Sequence, residues 1–199
     1  MNNMNFEKWH HYFRARLFDL VKMPDGAIAE YRRALDADPQ FRKAANSLAY
    51  RYAQSGRNSE AIACFEQVLQ LDQADPYAHY NLAFVCAKMG ETRRAIDHFR
   101  SAVGLRPKLD LAWYGLGVAH ATAGEHSDAM EAFDRAARLQ PMSGPVWYQL
   151  GMACHHAREP ERVHEIIHYV NRFDPRTARQ LIQETGSADL AYLVKDLVV

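Results

Sequence analysis

Net charge is the first thing this chain lacks: Lys and Arg number 24, and so do Asp and Glu, among 199 residues. A protein that holds nucleic acid or an anionic bilayer through its overall field carries a basic excess, so neither partner is expected. Long apolar runs are also missing. Met1 to Leu20 holds Trp9, His10, His11 and several charged residues, which leaves no apolar segment of the kind a signal peptide needs. No stretch approaches the roughly 18 apolar residues of a membrane helix. Cysteine is scarce. Cys64, Cys86 and Cys154 are odd in number, far apart and without C-x-x-C spacing. They read as reduced core residues of a cytoplasmic protein, not as disulfides or a zinc knot. The chain has no Gly-rich phosphate loop, no G-x-S-x-G and no strand-like alternation, and Asp25-Gly26 is a turn.

What is present is a period. Tyr31, Phe65, Phe99, Phe133 and Ile167 recur every 34 residues. Four residues before each stands Ala27, Ala61, Ala95, Ala129 or Val163, and three after it Ala34, Val68, Ala102, Ala136 or Val170. The i, i+4, i+7 spacing places them on one stripe of a helix, with small residues letting a neighbour approach and the ring filling the gap. A first helix precedes each of these and carries Leu48, Leu82, Leu116 and Leu150, each followed by Ala or Gly. Gly56, Gly90 and Gly124 close that helix where the chain must turn back, and Pro39, Pro107, Pro141 and Pro175 end the second one.

This pattern resembles the tetratricopeptide repeat family, in which an aromatic, Leu-Gly, Ala, an aromatic and Pro recur in a 34-residue unit. Trp113, Leu116, Gly117, Gly124, Ala129, Phe133, Ala136 and Pro141 show it most completely, and Trp147, Leu150 and Gly151 open another unit. The resemblance implies an all-α, right-handed superhelical solenoid of about five helix pairs at 8–41, 42–75, 76–109, 110–143 and 144–177, with capping helices and a tail over 178–199. Arg14 and Lys22 depart from the leucine and glycine columns in the first unit, as an end repeat without a neighbour allows. The fifth departs at Arg158, and its packing is expected to be atypical. Arg176 to Thr185 reads as a further helix stopped by Gly186, and the apolar Leu190, Tyr192, Leu193 and 197–199 as a tail that folds back on the array or docks on another chain.

The family's solenoid lines its groove with the first helices. That implies a partner-binding face made of Tyr12, Arg16, Asn46, Tyr50, Tyr80, Phe84, Lys88, Tyr114, Val118, Tyr148 and Met152. Tyrosines there offer a rigid apolar body and a hydroxyl tip to a bound peptide or helix. The branch of the family that grips chaperone carboxylates is not matched, because Tyr12 stands at its first lysine column and Gly115 interrupts its later asparagine column. The function expected is a non-enzymatic scaffold or adaptor with a protein or peptide ligand and no cofactor. Two alternatives stand beside it. His164-Glu165-Ile166-Ile167-His168 fits the H-E-x-x-H of zinc hydrolases, although Ile167 already belongs to the repeat, so His164 and His168 are only minor metal candidates. The other is a self-assembling subunit that forms homo-oligomers through its C-terminal tail.

Overall fold

The computed structural model describes residues 2–195, with side chains from residue 6 onward. These residues form eleven α-helices: α1 (Asn2–Leu20), α2 (Pro24–Ala37), α3 (Arg42–Gln54), α4 (Asn58–Leu71), α5 (Pro76–Lys88), α6 (Thr92–Leu105), α7 (Asp110–Thr122), α8 (His126–Leu139), α9 (Gly144–His156), α10 (Pro160–Val170) and α11 (Pro175–Thr185). A short 3-10 helix, Ala188–Val194, follows. The chain divides into two compact units, Met1–Leu105 and Arg106–Val199.

In the first unit α1 packs on α2, α3 on α4 and α5 on α6, and the second helix of a pair packs on the first helix of the next. The second unit repeats this with α7 to α10, and α11 lies against both α9 and α10. The 34-residue column is the core of both. Tyr31, Phe65, Phe99, Phe133 and Ile167 are all 2% exposed or less. Burying a side chain of that size contributes about 2–3 kcal/mol.

Local chemistry sets the helix ends. Asp75 accepts from the backbone N–H groups of Tyr77 and Ala78 at 3.0 and 3.1 Å, with Pro76 at the first helical position. Asp174 does the same for Thr177, ahead of Pro175. Pro175 therefore starts α11 rather than ending α10, which stops at Val170. At the opposite ends Gly56, Gly90 and Gly124 take φ of 76°, 79° and 75°. Lys22 and Arg158 stand at the same place in the repeat and adopt the same left-handed turn, with φ of 57° and 61°. The fold imposes this turn even where the residue disfavours it.

Another contact recurs at the repeat's step. Trp113 Nε1 donates to the Pro107 carbonyl and Trp147 Nε1 to the Pro141 carbonyl, both at 2.9 Å, and His79 Nε2 lies 3.1 Å from the Gln73 carbonyl. Each ring ties the start of a first helix to the loop before it.

The two ends depart from the repeat. The expected polar cap at α1 is only partial: Arg14 reaches Glu30 at 3.5 Å, but Phe6, Phe13, Leu17 and Leu20 are exposed. At the other end α10 spans 11 residues where α8 spans 14. The unwound last turn lets Asn171 donate to the Leu193 carbonyl at 3.4 Å. Gly186 stops α11 with φ of 72°. Leu190 is buried in the core of the second unit, with Leu193 and Val194 packed against it, while Tyr192 is exposed. The last apolar residues, 197–199, lie outside the described residues.

Candidate functional site

In the first unit the helices α1, α3 and α5 present two adjoining concavities. One, of about 580 Å³, is lined by Arg16, Asn46, Tyr50 and Asn81 together with Asp19, Arg51 and Asp75. The other, of about 400 Å³, is lined by Tyr50, Tyr80, Asn81, Phe84 and Lys88 over a floor of Ala53, Phe65 and Val85. Tyr50 and Asn81 belong to both walls. Arg16, Asn46, Tyr50, Tyr80, Phe84 and Lys88, which the family resemblance puts on the groove face, line these two hollows. Tyr12 does not line either hollow; it packs on Tyr31 and Phe41, with ring centroids 5.8 and 5.3 Å away.

The polar concavity is internally wired. The buried Tyr31 hydroxyl donates to Asp19 Oδ2 at 2.6 Å. Burial first, and then that bond, raises the Tyr31 pKa far above its ordinary value. Arg51 Nε lies 2.8 Å from Asp19 Oδ1, a charge contact without hydrogen-bond alignment, and Arg51 Nη1 donates to Gln54 at 2.7 Å. Gln54 in turn donates to the Tyr50 hydroxyl at 2.8 Å. Asp75 spends one oxygen on the cap of α5 and offers the other to Asn46 Nδ2 at 3.5 Å. Arg16 differs: it is held by the Tyr12 hydroxyl, which raises its pKa with smaller help from Tyr31 and Asp19, and no carboxylate among the described residues forms an ion pair with it. Repeat spacing alone does not find Asp19, Arg51 or Asp75; Asp19 and Arg51 meet only through the packing of α1 on its neighbours.

In the second unit Tyr114, Tyr148 and Met152 are half-buried against the core, and Val118 is 39% exposed. The Tyr148 hydroxyl donates to Glu184 Oε2 at 2.6 Å, a bond that raises the tyrosine pKa and lowers that of the carboxyl. A ligand on Tyr148 would have to displace Glu184.

Among the described residues no third ligating group gathers with His164 and His168. His164 lies 3.8 Å from Asp189, and Ile166 and Ile167 are in the core. The one convergence of three ligating groups among the described residues is elsewhere, at His120, Glu125 and Asp128. His120 Nδ1 sits 2.7 Å from Glu125 Oε2. The same two places in the preceding units hold Tyr52 with Arg57 stacked on it at 4.4 Å, and Cys86 with Glu91 bonded to it. The His120–Glu125 contact is thus a recurring clasp across the turn of a helix pair. Burial pushes the Cys86 and Cys154 thiols up to about 11, so neither is a nucleophile at neutral pH.

A chain of antiparallel helix pairs, built on a recurring buried stripe and turned at the same left-handed position, is a helix-pair repeat protein. It is a tetratricopeptide repeat protein: the "TPR repeat" model matches residues 49–90 and the "Tetratricopeptide repeat" model residues 87–144. Solved structures agree on the TPR-like solenoid fold. A MamA protein superposes with a TM-score of 0.77 at 22% identity, covering 97% of both chains. YrrB, described as a TPR protein with an unusual peptide-binding site, gives 0.76 at 21% identity over 87% of this chain and 90% of its own. PilF of Pseudomonas aeruginosa gives 0.71 at 15% identity over 98% and 96%. No curated protein sequence matches significantly.

Proposed function

We propose that this chain is a non-enzymatic scaffold or adaptor that holds a peptide or helix of another protein against the first helices of its pairs. The observation that carries this reading is the pair of adjoining hollows on α1, α3 and α5, where Tyr50 and Phe84 stand 47% and 55% exposed above an apolar floor. Exposed aromatic side chains held on rigid helices supply contact area at little entropic cost. YrrB's peptide-binding site, on the same fold, is consistent with it.

The five repeat units are taken as 8–41, 42–75, 76–109, 110–143 and 144–177. Balanced charge favours a protein partner over nucleic acid. Three unpaired cysteines suit a reducing, cytoplasmic compartment, and no helix among the described residues is long and apolar enough to cross a membrane. Self-assembly through the C-terminal tail is disfavoured by Leu190, which its own unit has already buried.

The test is selection of a displayed random-peptide library on the full chain. Enriched peptides are expected to bind the wild type and to lose at least tenfold in affinity to Tyr50→Ala/Phe84→Ala. Both side chains are exposed, so their truncation leaves the core intact. Enriched peptides indifferent to that double change would refute the assignment.

A further inference from the structure

We infer that the occupant of the first unit's two hollows is a short extended segment in which an acidic side chain is followed, two or three residues on, by a bulky apolar one. This rests on the binding reading above and deepens it.

The argument begins with charge accounting in the polar hollow. Of its four charged residues, three are committed. Asp19 holds Arg51 and the Tyr31 hydroxyl. Asp75 caps α5. The Arg16 guanidinium is exposed and hydrogen-bonds the Tyr12 hydroxyl; it feels the Asp19 charge but forms no ion pair with a carboxylate among the described residues. Beside it the hollow offers neutral amides, Asn46 and Asn81, and the Ser47 hydroxyl. An exposed cation flanked by neutral polar groups and outside ion-pair contact with any acid is complementary to an anion.

The second hollow selects differently. Its floor of Ala53, Phe65 and Val85 and its wall of Phe84 are apolar, while Lys88 at its edge makes no ion pair among the described residues. It suits a leucine, methionine or aromatic side chain. The two hollows share Tyr50 and Asn81, so a ligand can fill both without leaving the surface. Neighbouring packed helices lie roughly 8–10 Å apart, and an extended chain advances about 3.3 Å per residue. Two or three residues span that step.

The experiment uses fluorescent peptides of the form acidic-x-x-leucine and acidic-x-leucine, taken from library hits or built on them, with the full chain. Replacing the acidic residue by its amide is expected to weaken binding about threefold to tenfold at low ionic strength, with the difference shrinking as salt rises. Arg16→Glu should reverse the preference, so that a lysine-for-acid peptide binds better than the original. Phe84→Ala should weaken both peptides alike. Amidating the peptide C-terminus should change nothing. Loss of binding on amidation would overturn the inference in favour of a terminal carboxylate. Tight peptides with no acidic preference, or no reversal at Arg16→Glu, would also overturn it and leave the binding reading standing. If no peptide were selected at all, both would fall.

Discussion

The ring of Phe133 lies directly on the α-carbon of Gly117, so closely that a Cβ there would come within 2.7 Å of it. Phe133 is 1% exposed and hemmed in by its own core, so the ring cannot swing aside. Gly117→Ala should therefore destabilise the protein by about 1–2 kcal/mol, because overpacking exceeds the gain in helix propensity of about 1 kcal/mol. Gly104 in α6 is the control: it is exposed, and a Cβ there meets nothing within 4 Å. Gly104→Ala should stabilise by about 0.5 kcal/mol. Chemical denaturation of the two variants reads both signs, and equal signs would show that Phe133 has room to move.

Lys22 and Arg158 occupy the left-handed position that glycine fills at Gly56, Gly90 and Gly124. A side chain there costs roughly 1 kcal/mol. Lys22→Gly and Arg158→Gly should each raise the thermal midpoint, by an amount equivalent to about 0.5–1 kcal/mol. A lowered midpoint would mean that these two side chains make contacts worth more than the backbone strain.

These two cases show what the sequence could and could not convey. The period exposed the helix pairs because a buried column such as Tyr31 to Ile167 must recur wherever identical helices stack. Lys22 and Arg158 depart from the glycine column, yet the turn persists, because packing on both sides dictates the backbone and the local residue only strains it. The start of α11 was misplaced because Pro175 is equally acceptable as a helix stop and as a first helical residue; the Asp174 cap decides it. In the candidate site Tyr50 and Phe84, placed on the first helices by the family resemblance, are exposed beside the hollows. The ties of Asp19 to Tyr31 and Arg51 were not legible in the sequence, since they join residues on different helices and have no period.

Glu30 is the charge at the heart of the N-terminal pair. Its side chain is 3% exposed and meets His11 at 2.7 Å, Arg33 at 2.5 Å and Arg14 at 3.5 Å. Burial, the largest influence, pushes its pKa up, but the bond to His11 and the two arginines together hold it below the ordinary carboxylate value. A depressed folded pKa contributes stability that is present above the unfolded value and is lost as pH falls through the folded one. Glu30→Gln should cost about 1–2 kcal/mol at neutral pH and flatten the acid limb of the stability profile. Parallel profiles for variant and wild type below pH 5 would count against this.

His79 and His98 face each other Nδ1 to Nδ1 at 3.0 Å. The Gln73 carbonyl can only accept, so His79 Nε2 carries a proton and, in the neutral ring, its Nδ1 is the acceptor; His98 Nδ1 must then donate. Burial first, then the neighbouring His79 and Arg94, lowers the His98 pKa. The folded chain thus binds a proton at His98 less readily than the unfolded chain, so stability rises with pH across this titration. The loss should begin as pH drops through about 6.5, where the unfolded imidazole protonates, and continue down to the folded pKa. Thermal midpoints of the wild type and His98→Gln, measured from pH 7.5 to 5, should converge in acid, because only the wild type carries this penalty. If the gap between them stays constant over that range, the His98 ring is not held neutral by its surroundings, and the hydrogen bond to His79 is not what orders the pair.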